Sequence, residues 1–103
     1  MDSIGFWNND RQVTKVFKAL SDGTRQQILH LLEGKQRSVG EIVGEFSLSQ
    51  PTISRHLSVL KEADLVVDKR QGQNVIYSIN SEALSSSMTQ FFGRFSGCQQ
   101  VIR

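Results

Sequence analysis

Hydrogen-bond donors are concentrated on one side of the segment SQPTISRHLSVLKEADLV, residues 49–66. If this segment is an α-helix, a rotation of about 100° per residue places Ile53, Leu57 and Leu60 on its inward face. The opposite face lacks Asp and Glu until Glu62. It carries Pro51, Thr52, Ser54, Arg55 and Ser58, with His56 on a flank.

The side chains of this polar face suit the major groove of double-stranded DNA. Arginine can bond guanine through two N–H groups, Gln50 can bond adenine, and Ser or Thr hydroxyls can bond bases or phosphate. The amino-terminal end of the helix, which Ser49 can cap, carries the positive pole of the helix dipole and favours phosphate. The alternative is a solvated surface without a ligand, although such surfaces more often mix Glu and Lys pairs.

A second group of donors lies in the sequence DKRQGQN, between two β-rich runs at residues 65–69 and 75–79. The two runs and the turn centred on Gly72 predict a β-hairpin. Its tip carries Lys69, Arg70, Gln73 and Asn74, which can reach a neighbouring groove or the DNA backbone. Charges that deter edge-strand aggregation are the alternative interpretation.

The upstream segments predict helices that would position the donor-bearing helix. The apolar spacing i, i+3, i+4, i+7 predicts a first helix over about 9–20. Ser21 or Asp22 can cap a second helix that ends at Gly34. Within this second helix, Asp22 and Arg25 are interpreted as a cap with a local ion pair, rather than as a phosphate contact.

A third helix begins at the sequence SVGE, in which Ser38 and Glu41 form a capping box. Its apolar stripe is predicted to consist of Val39, Ile42, Val43 and Phe46. The three-residue turn SLS then leads to the donor-bearing helix, whose first turn tolerates Pro51. Two helices joined by such a turn form a helix-turn-helix, here over about 38–64.

The last helix is predicted over about 81–96, with Asn80 or Ser81 as its cap. The helix order and a hairpin wing over about 65–79 predict a mainly α, winged helix-turn-helix fold with about five helices and a two-stranded hairpin. The 103 residues of the chain are expected to form one domain.

Three motifs in register resemble the ArsR/SmtB family of bacterial winged-helix repressors: KALSDGTRQQILHLL, LSQPTISRHLSVLKEADLV and KRQGQNVIYSI. The resemblance implies a homodimer whose first and last helices form the interface, and whose recognition helices enter successive major grooves. It implies principal contacts by Gln50, Ser54 and Arg55, with support from Thr52 and His56. With the residues of the cap and the wing, the set predicted to contact DNA is Ser49, Gln50, Thr52, Ser54, Arg55, His56, Lys69, Arg70, Gln73 and Asn74.

The last helix also carries more aromatic surface than it needs against so small a core. This surplus agrees with the dimer that the resemblance implies. The predicted dimer interface consists of Val13, Phe17, Met88, Phe91, Phe92 and Phe95. Packing of these side chains within one chain is the alternative.

Many members of the family that the chain resembles sense metals, and the chain departs from these members. The sequence GEIVGEF contains no cysteine, and the last helix offers Glu82 but no histidine. His30 is interpreted as a satisfied or half-buried histidine, and the single Cys98 falls short of a tetrahedral ligand set. No metal site and no cofactor is therefore expected. Cys98 is either a thiol switch across a dimer or an inert side chain, and an unidentified small-molecule or protein effector stays open.

Composition and motifs narrow the function class. A net charge of +2 permits a nucleic-acid partner without identifying one. Signal-peptide and membrane-spanning patterns are missing, so a cytoplasmic protein with no membrane partner is expected. An enzyme is not expected, since phosphate-binding loops, nucleophile elbows and paired carboxylates are missing too. The prediction is a sequence-specific, homodimeric repressor that binds a pseudo-palindromic operator; a winged-helix protein-interaction module or a thiol-responsive repressor is the alternative.

Overall fold

The structure, a computed structural model, describes residues 10–98, with Asp10 described by its backbone alone. Five α-helices and a three-stranded sheet follow one another along this part of the chain. They are α1 (Asp10–Leu20), α2 (Gly23–Gly34), β1 (Arg37–Ser38), α3 (Val39–Val43), α4 (Gln50–Glu62), β2 (Val66–Gln71), β3 (Asn74–Ile79) and α5 (Ser81–Phe92), before a 3-10 turn at Ser96–Cys98. The predicted winged helix-turn-helix fold is confirmed.

Side-chain caps begin four of the helices, as the sequence predicts. Between the alternatives left open, the structure selects Asp22 for α2 and Asn80 for α5. The capping box of α3 is complete, since Glu41 N–H donates to Ser38 Oγ at 3.2 Å and Ser38 N–H donates to Glu41 Oε1 at 2.9 Å. Ser49 caps α4 by accepting from the Thr52 N–H. Each cap satisfies a backbone N–H that has no partner inside its helix.

The core lies between the helices and one face of the sheet. Its buried side chains come from every helix before β2 and from the start of the wing: Val16, Ala19, Ile28, Leu29, Leu32, Ile42, Ile53, Leu57, Leu60, Ala63, Leu65 and Val66. The predicted inward face of α4 is confirmed, because Ile53, Leu57 and Leu60 all belong to this cluster. Their burial fixes the rotation of α4 about its axis and turns its polar side outward.

The sheet has the order β1-β3-β2, and both strand pairs are antiparallel. In the wing, Gln71 pairs with Asn74, which leaves a two-residue loop at Gly72 and Gln73. Gly72 has φ of 63°, a value that suits glycine at the first position of a type II′ turn. The strand β1 was not predicted. Two residues are too short to show an alternating pattern, and β1 pairs with β3 only through tertiary contact.

Two helices end earlier than the sequence predicts. The third was expected to include Phe46 but ends at Val43. The last was expected to reach about residue 96 but ends at Phe92, so Phe95 follows the helix. The helical spacing of apolar residues continues past a glycine, so it predicts helices that are too long. In the structure, Gly44 and Gly93 occupy the C-caps of α3 and α5. None of the helices within residues 10–98 is long and apolar enough to cross a membrane.

Candidate nucleic-acid interface

The first turn of α4 is ordered by a hydroxyl pair. Ser49 Oγ lies 2.9 Å from Thr52 Oγ1 and accepts from the Thr52 N–H at 3.4 Å. Pro51 occupies the same turn, where the missing N–H costs nothing because N–H groups there have no intrahelical partner. Both hydroxyls were predicted to contact DNA, and the structure places them at the positive end of the helix dipole.

The outward face of α4 presents exposed hydrogen-bond donors. Gln50, Ser54, Arg55 and Ser58 are all exposed. Within residues 10–98, the Arg55 guanidinium makes no hydrogen bond or ion pair. A guanidinium on the outer side of an otherwise anchored helix can form two parallel hydrogen bonds with a base edge or a phosphate. The predicted recognition residues Gln50, Ser54 and Arg55 therefore share one exposed surface.

His56 differs from its neighbours because it already has partners inside the protein. Its side chain is 17% exposed, and its Nδ1 lies 3.9 Å from Asp22 Oδ2. The same Nδ1 lies 3.1 Å from Arg25 Nη1. The sequence predicted His56 as a supporting DNA contact, but gave no signal for its partners, which lie 31 and 34 positions earlier in the chain.

The predicted cap at Asp22 is present, but the ion pair next to it takes another form. Asp22 Oδ2 accepts from the Arg25 N–H at 3.1 Å. This hydrogen bond lowers the pKa of Asp22, and the nearby charge of Arg25 lowers it further. The Arg25 guanidinium does not pair with the carboxylate; it bonds the carbonyl oxygens of Lys18 and Ala19 at the end of α1.

The wing tip is a second donor surface. Lys69, Arg70, Gln73 and Asn74 are exposed around the turn. One contact that was not predicted from the sequence connects the wing with α4: Lys61 Nζ lies 2.9 Å from Asp68 Oδ2. This hydrogen bond raises the pKa of Lys61. It joins the end of the recognition helix to the first strand of the wing.

Phenylalanine side chains from α1, from the end of α5 and from just after α5 meet in an aromatic patch, defined here as Phe17, Phe91, Phe92 and Phe95. The ring of Phe91 lies in the middle, with its centroid 4.7 Å from that of Phe17 and 5.3 Å from that of Phe95. Phe17 is 37% exposed and Phe95 47% exposed. The patch is therefore packed within the chain on one side and open on the other.

Two of the residues predicted for the dimer interface pack toward the core of the single chain, and one of them is buried there. Val13 is only 2% exposed, and Met88 is half-buried against the hydrophobic core. Helical spacing placed both on an apolar stripe, but it could not separate the part of the stripe that faces the core from the part that remains outside. Within residues 10–98, the large apolar side chains that stay exposed are Phe17 and Phe95 of the aromatic patch, together with Leu48 and Val67 outside it.

The histidine and cysteine outside α4 have simple surroundings. His30 was predicted to be satisfied or half-buried, and the half-buried alternative is wrong, since its side chain is 89% exposed. Its Nδ1 lies 3.8 Å from Glu33 Oε1. Cys98 is a free, half-buried cysteine in the 3-10 turn. Within the described part of the chain, His, Cys, Asp and Glu residues form no group of three that could hold a metal ion.

Comparison with known proteins places the chain among bacterial transcriptional regulators. Residues 22–67 match the family model described as bacterial regulatory protein, arsR family. Over 76 residues the chain is 45% identical to the transcriptional repressor SdpR of Bacillus subtilis, a match covering 74% of this chain and 84% of that protein. Over 96 residues it is 35% identical to the HTH-type transcriptional regulator Rv2034 of Mycobacterium tuberculosis, covering 89% and 90%.

Solved structures show the same architecture. HlyU from Vibrio cholerae matches with a TM-score of 0.67 at 31% identity, over 78% of this chain and 88% of that one. An ArsR family transcriptional regulator matches with a TM-score of 0.75 at 22% identity, over 82% and 87% of the two chains. The second likeness concerns the fold alone.

Proposed function

Because the chain belongs to the ArsR family of bacterial regulatory proteins, we propose that it represses transcription as a homodimer bound to a pseudo-palindromic operator. Its relatives are named transcriptional regulators, and one is named a repressor. The observation that carries the proposal is the outward face of α4, whose exposed donors stand on a helix fixed by three buried side chains.

In the proposed complex, α4 lies in the major groove. Gln50, Ser54 and Arg55 contact base edges or phosphates, while Ser49 and Thr52 present the positive end of the helix to a phosphate. The wing tip contacts the backbone or an adjacent groove through Lys69, Arg70, Gln73 and Asn74. His56 supports this surface from the flank of α4.

The proposed dimer forms through the aromatic patch. A two-fold interface uses the same surface on both protomers, so each patch would cover its copy on the partner. Exposed aromatic side chains of this kind are enriched at protein interfaces. Two recognition helices related by a two-fold axis would meet half-sites one helical turn apart, about 34–36 Å. The proposed interface keeps Phe17, Met88, Phe91, Phe92 and Phe95, and it omits Val13 because that side chain is buried within one chain.

Binding to the DNA upstream of the protein's own gene, compared with a scrambled duplex of equal length, tests the proposal. At near-physiological salt, we expect the native duplex to bind about 10³-fold more tightly or better. Arg55→Ala should weaken specific binding by roughly tenfold to a hundredfold, because one bidentate contact contributes about 1–3 kcal/mol of discrimination. Arg11→Ala is the matched control, since it removes the same exposed charge from α1.

Two results would count against this function. Equal and weak binding of both duplexes, with a stable complex to another protein, would favour the interaction-module alternative. Unchanged specific affinity in Arg55→Ala, at a normal melting temperature, would show that the recognition surface lies elsewhere.

A further inference from the structure

Arg25 connects three helices, although it lies on neither the recognition surface nor the aromatic patch. From the first turn of α2, its Nε donates to the Ala19 carbonyl oxygen at 2.8 Å and its Nη2 to that of Lys18 at 3.1 Å. Its Nη1 lies 3.1 Å from Nδ1 of His56 on α4. One guanidinium thus uses its three nitrogens on the end of α1 and on the recognition helix.

This geometry determines which nitrogen of His56 carries the proton. A guanidinium has only donors, so the short contact requires His56 Nδ1 to be the acceptor. A neutral imidazole whose Nδ1 accepts carries its proton on Nε2. Asp22, the carboxylate near this ring, lies 3.9 Å from Nδ1, which is beyond hydrogen-bond distance. In the neutral ring of His56, the contact with Arg25 therefore fits the Nε2–H tautomer.

The carbonyl groups that Arg25 bonds lie next to the proposed dimer surface. Lys18 and Ala19 directly follow Phe17, which belongs to the aromatic patch. His56 directly follows Arg55, which belongs to the exposed face of α4. One path from the dimer surface to the recognition surface consequently runs through this part-buried fork of hydrogen bonds. A second link joins α1 to the other end of α4, where Gln12 Nε2 donates to the Ala63 carbonyl oxygen at 3.0 Å.

We propose that Arg25 is a positioning residue for DNA recognition: it fixes the recognition helix to the dimerisation helix α1 through His56, and it keeps Nε2 of that histidine a donor. The inference rests on the proposed function, because it concerns how that dimer aligns its two recognition helices. Arg25 itself does not contact DNA. Its loss leaves the contact residues and the buried face of α4 in place, but it removes the link between the first half of α4 and the end of α1.

Gln26 provides a matched control for this role. Its Nε2 donates to the Leu20 carbonyl oxygen at 2.7 Å, so it also ties α2 to the end of α1, without reaching α4. We expect Arg25→Ala to weaken binding to the native duplex by about tenfold to a hundredfold, in line with the loss of charged hydrogen bonds. Gln26→Ala should weaken it by no more than about twofold. Arg25→Lys keeps the charge without the planar fork, and should lose specific binding as well.

Two further measurements separate positioning from simple stabilisation. A double-mutant cycle of Arg25→Ala and His56→Ala should be non-additive for DNA affinity, since either change removes the same contact. Nitrogen-15 spectra of the imidazoles in the free protein should show His56 with its proton on Nε2 only. This preference should disappear in Arg25→Lys. The chain has two histidines, and the exposed His30 serves as the internal reference.

The outcomes distinguish this inference from the function on which it rests. A wild-type protein that binds native and scrambled duplexes equally would overturn the proposed function and this inference with it. If the wild type discriminates but Arg25→Ala behaves like Gln26→Ala, the inference alone is overturned. Should Arg25→Ala not fold, Arg25→Lys and the spectra decide: a proton on Nδ1 of His56, or full specific affinity in Arg25→Lys, overturns the role.

Discussion

Truncating the most exposed ring of the aromatic patch, in Phe95→Ala, should weaken the proposed homodimer. A phenylalanine side chain has about 200 Å² of surface, and at 47% exposure Phe95 leaves roughly 90 Å² of that area open. Covering this area contributes about 2 kcal/mol at 25 cal/mol per Å². A two-fold interface contains the residue twice, so the total is about 4 kcal/mol, or roughly 10³-fold in the dimer dissociation constant.

This value is an upper bound, since it assumes complete coverage by the partner. We expect a loss of at least about tenfold, which corresponds to 1.4 kcal/mol. Phe95 suits the test because it lies after α5, so its truncation leaves the helix intact. Its loss still removes one ring contact, at 5.3 Å from Phe91, which contributes about 0.5–1.5 kcal/mol to the stability of the single chain.

Sedimentation equilibrium over a concentration series measures the dissociation constant directly, and a thermal melt reports on the fold of each variant. Leu48→Ala is the matched control, because Leu48 is similarly exposed at 39% but lies in the turn before α4. An unchanged dissociation constant in Phe95→Ala, with a shift in Leu48→Ala, would refute the assignment of the patch. A chain that is monomeric at all concentrations would refute the dimer itself.

Other consequences concern the core, a cap and the single thiol. Leu57→Ala should cost about 2–5 kcal/mol of unfolding free energy in urea titration, since Leu57 is fully buried behind the recognition face; a much smaller loss would mean that α4 is not anchored there. The hydrogen bond from the Ser38 N–H lowers the pKa of Glu41. The stability that the charged Glu41 contributes is therefore present above the ordinary Glu pKa of about 4.3, and it is lost as the pH falls through the lowered pKa of the folded state. Glu41→Gln should keep most of the cap and remove this pH dependence, and a stability profile identical to wild type would contradict that cause. Cys98→Ser should bind DNA with the wild-type affinity, and oxidants should change the affinity of neither protein. DNA binding that responds to oxidants in the wild type but not in Cys98→Ser would support the thiol-responsive alternative.

Much of the local structure was predictable because its causes lie within a few residues. The capping box of Ser38 and Glu41, the Ser49 cap and the first-turn Pro51 are all local, and all are present. The buried stripe of α4 was likewise readable from helical spacing alone. The candidate contacts on the opposite side of α4 follow from this stripe, because burying one side of a helix exposes the other.

Features that depend on distant partners were not predictable. A two-residue strand such as β1 has no periodic signal, and it forms only because β3 lies beside it. The exposure of His30 and the burial of Val13 depend on which part of each helix the rest of the fold covers. The end of α5 was missed for another reason, since apolar residues continue past Gly93 with helical spacing.

The order of the helices and the wing follows from the sequence alone, since caps, apolar periods and turn glycines act over short distances along the chain. How these elements contact one another depends on the folded chain. The tertiary structure placed His56 beside Arg25 and Asp22, joined Lys61 to Asp68, and gathered Phe17 with Phe91 into one patch. Such contacts join residues far apart in sequence, and packing selects them after the helices and strands have formed.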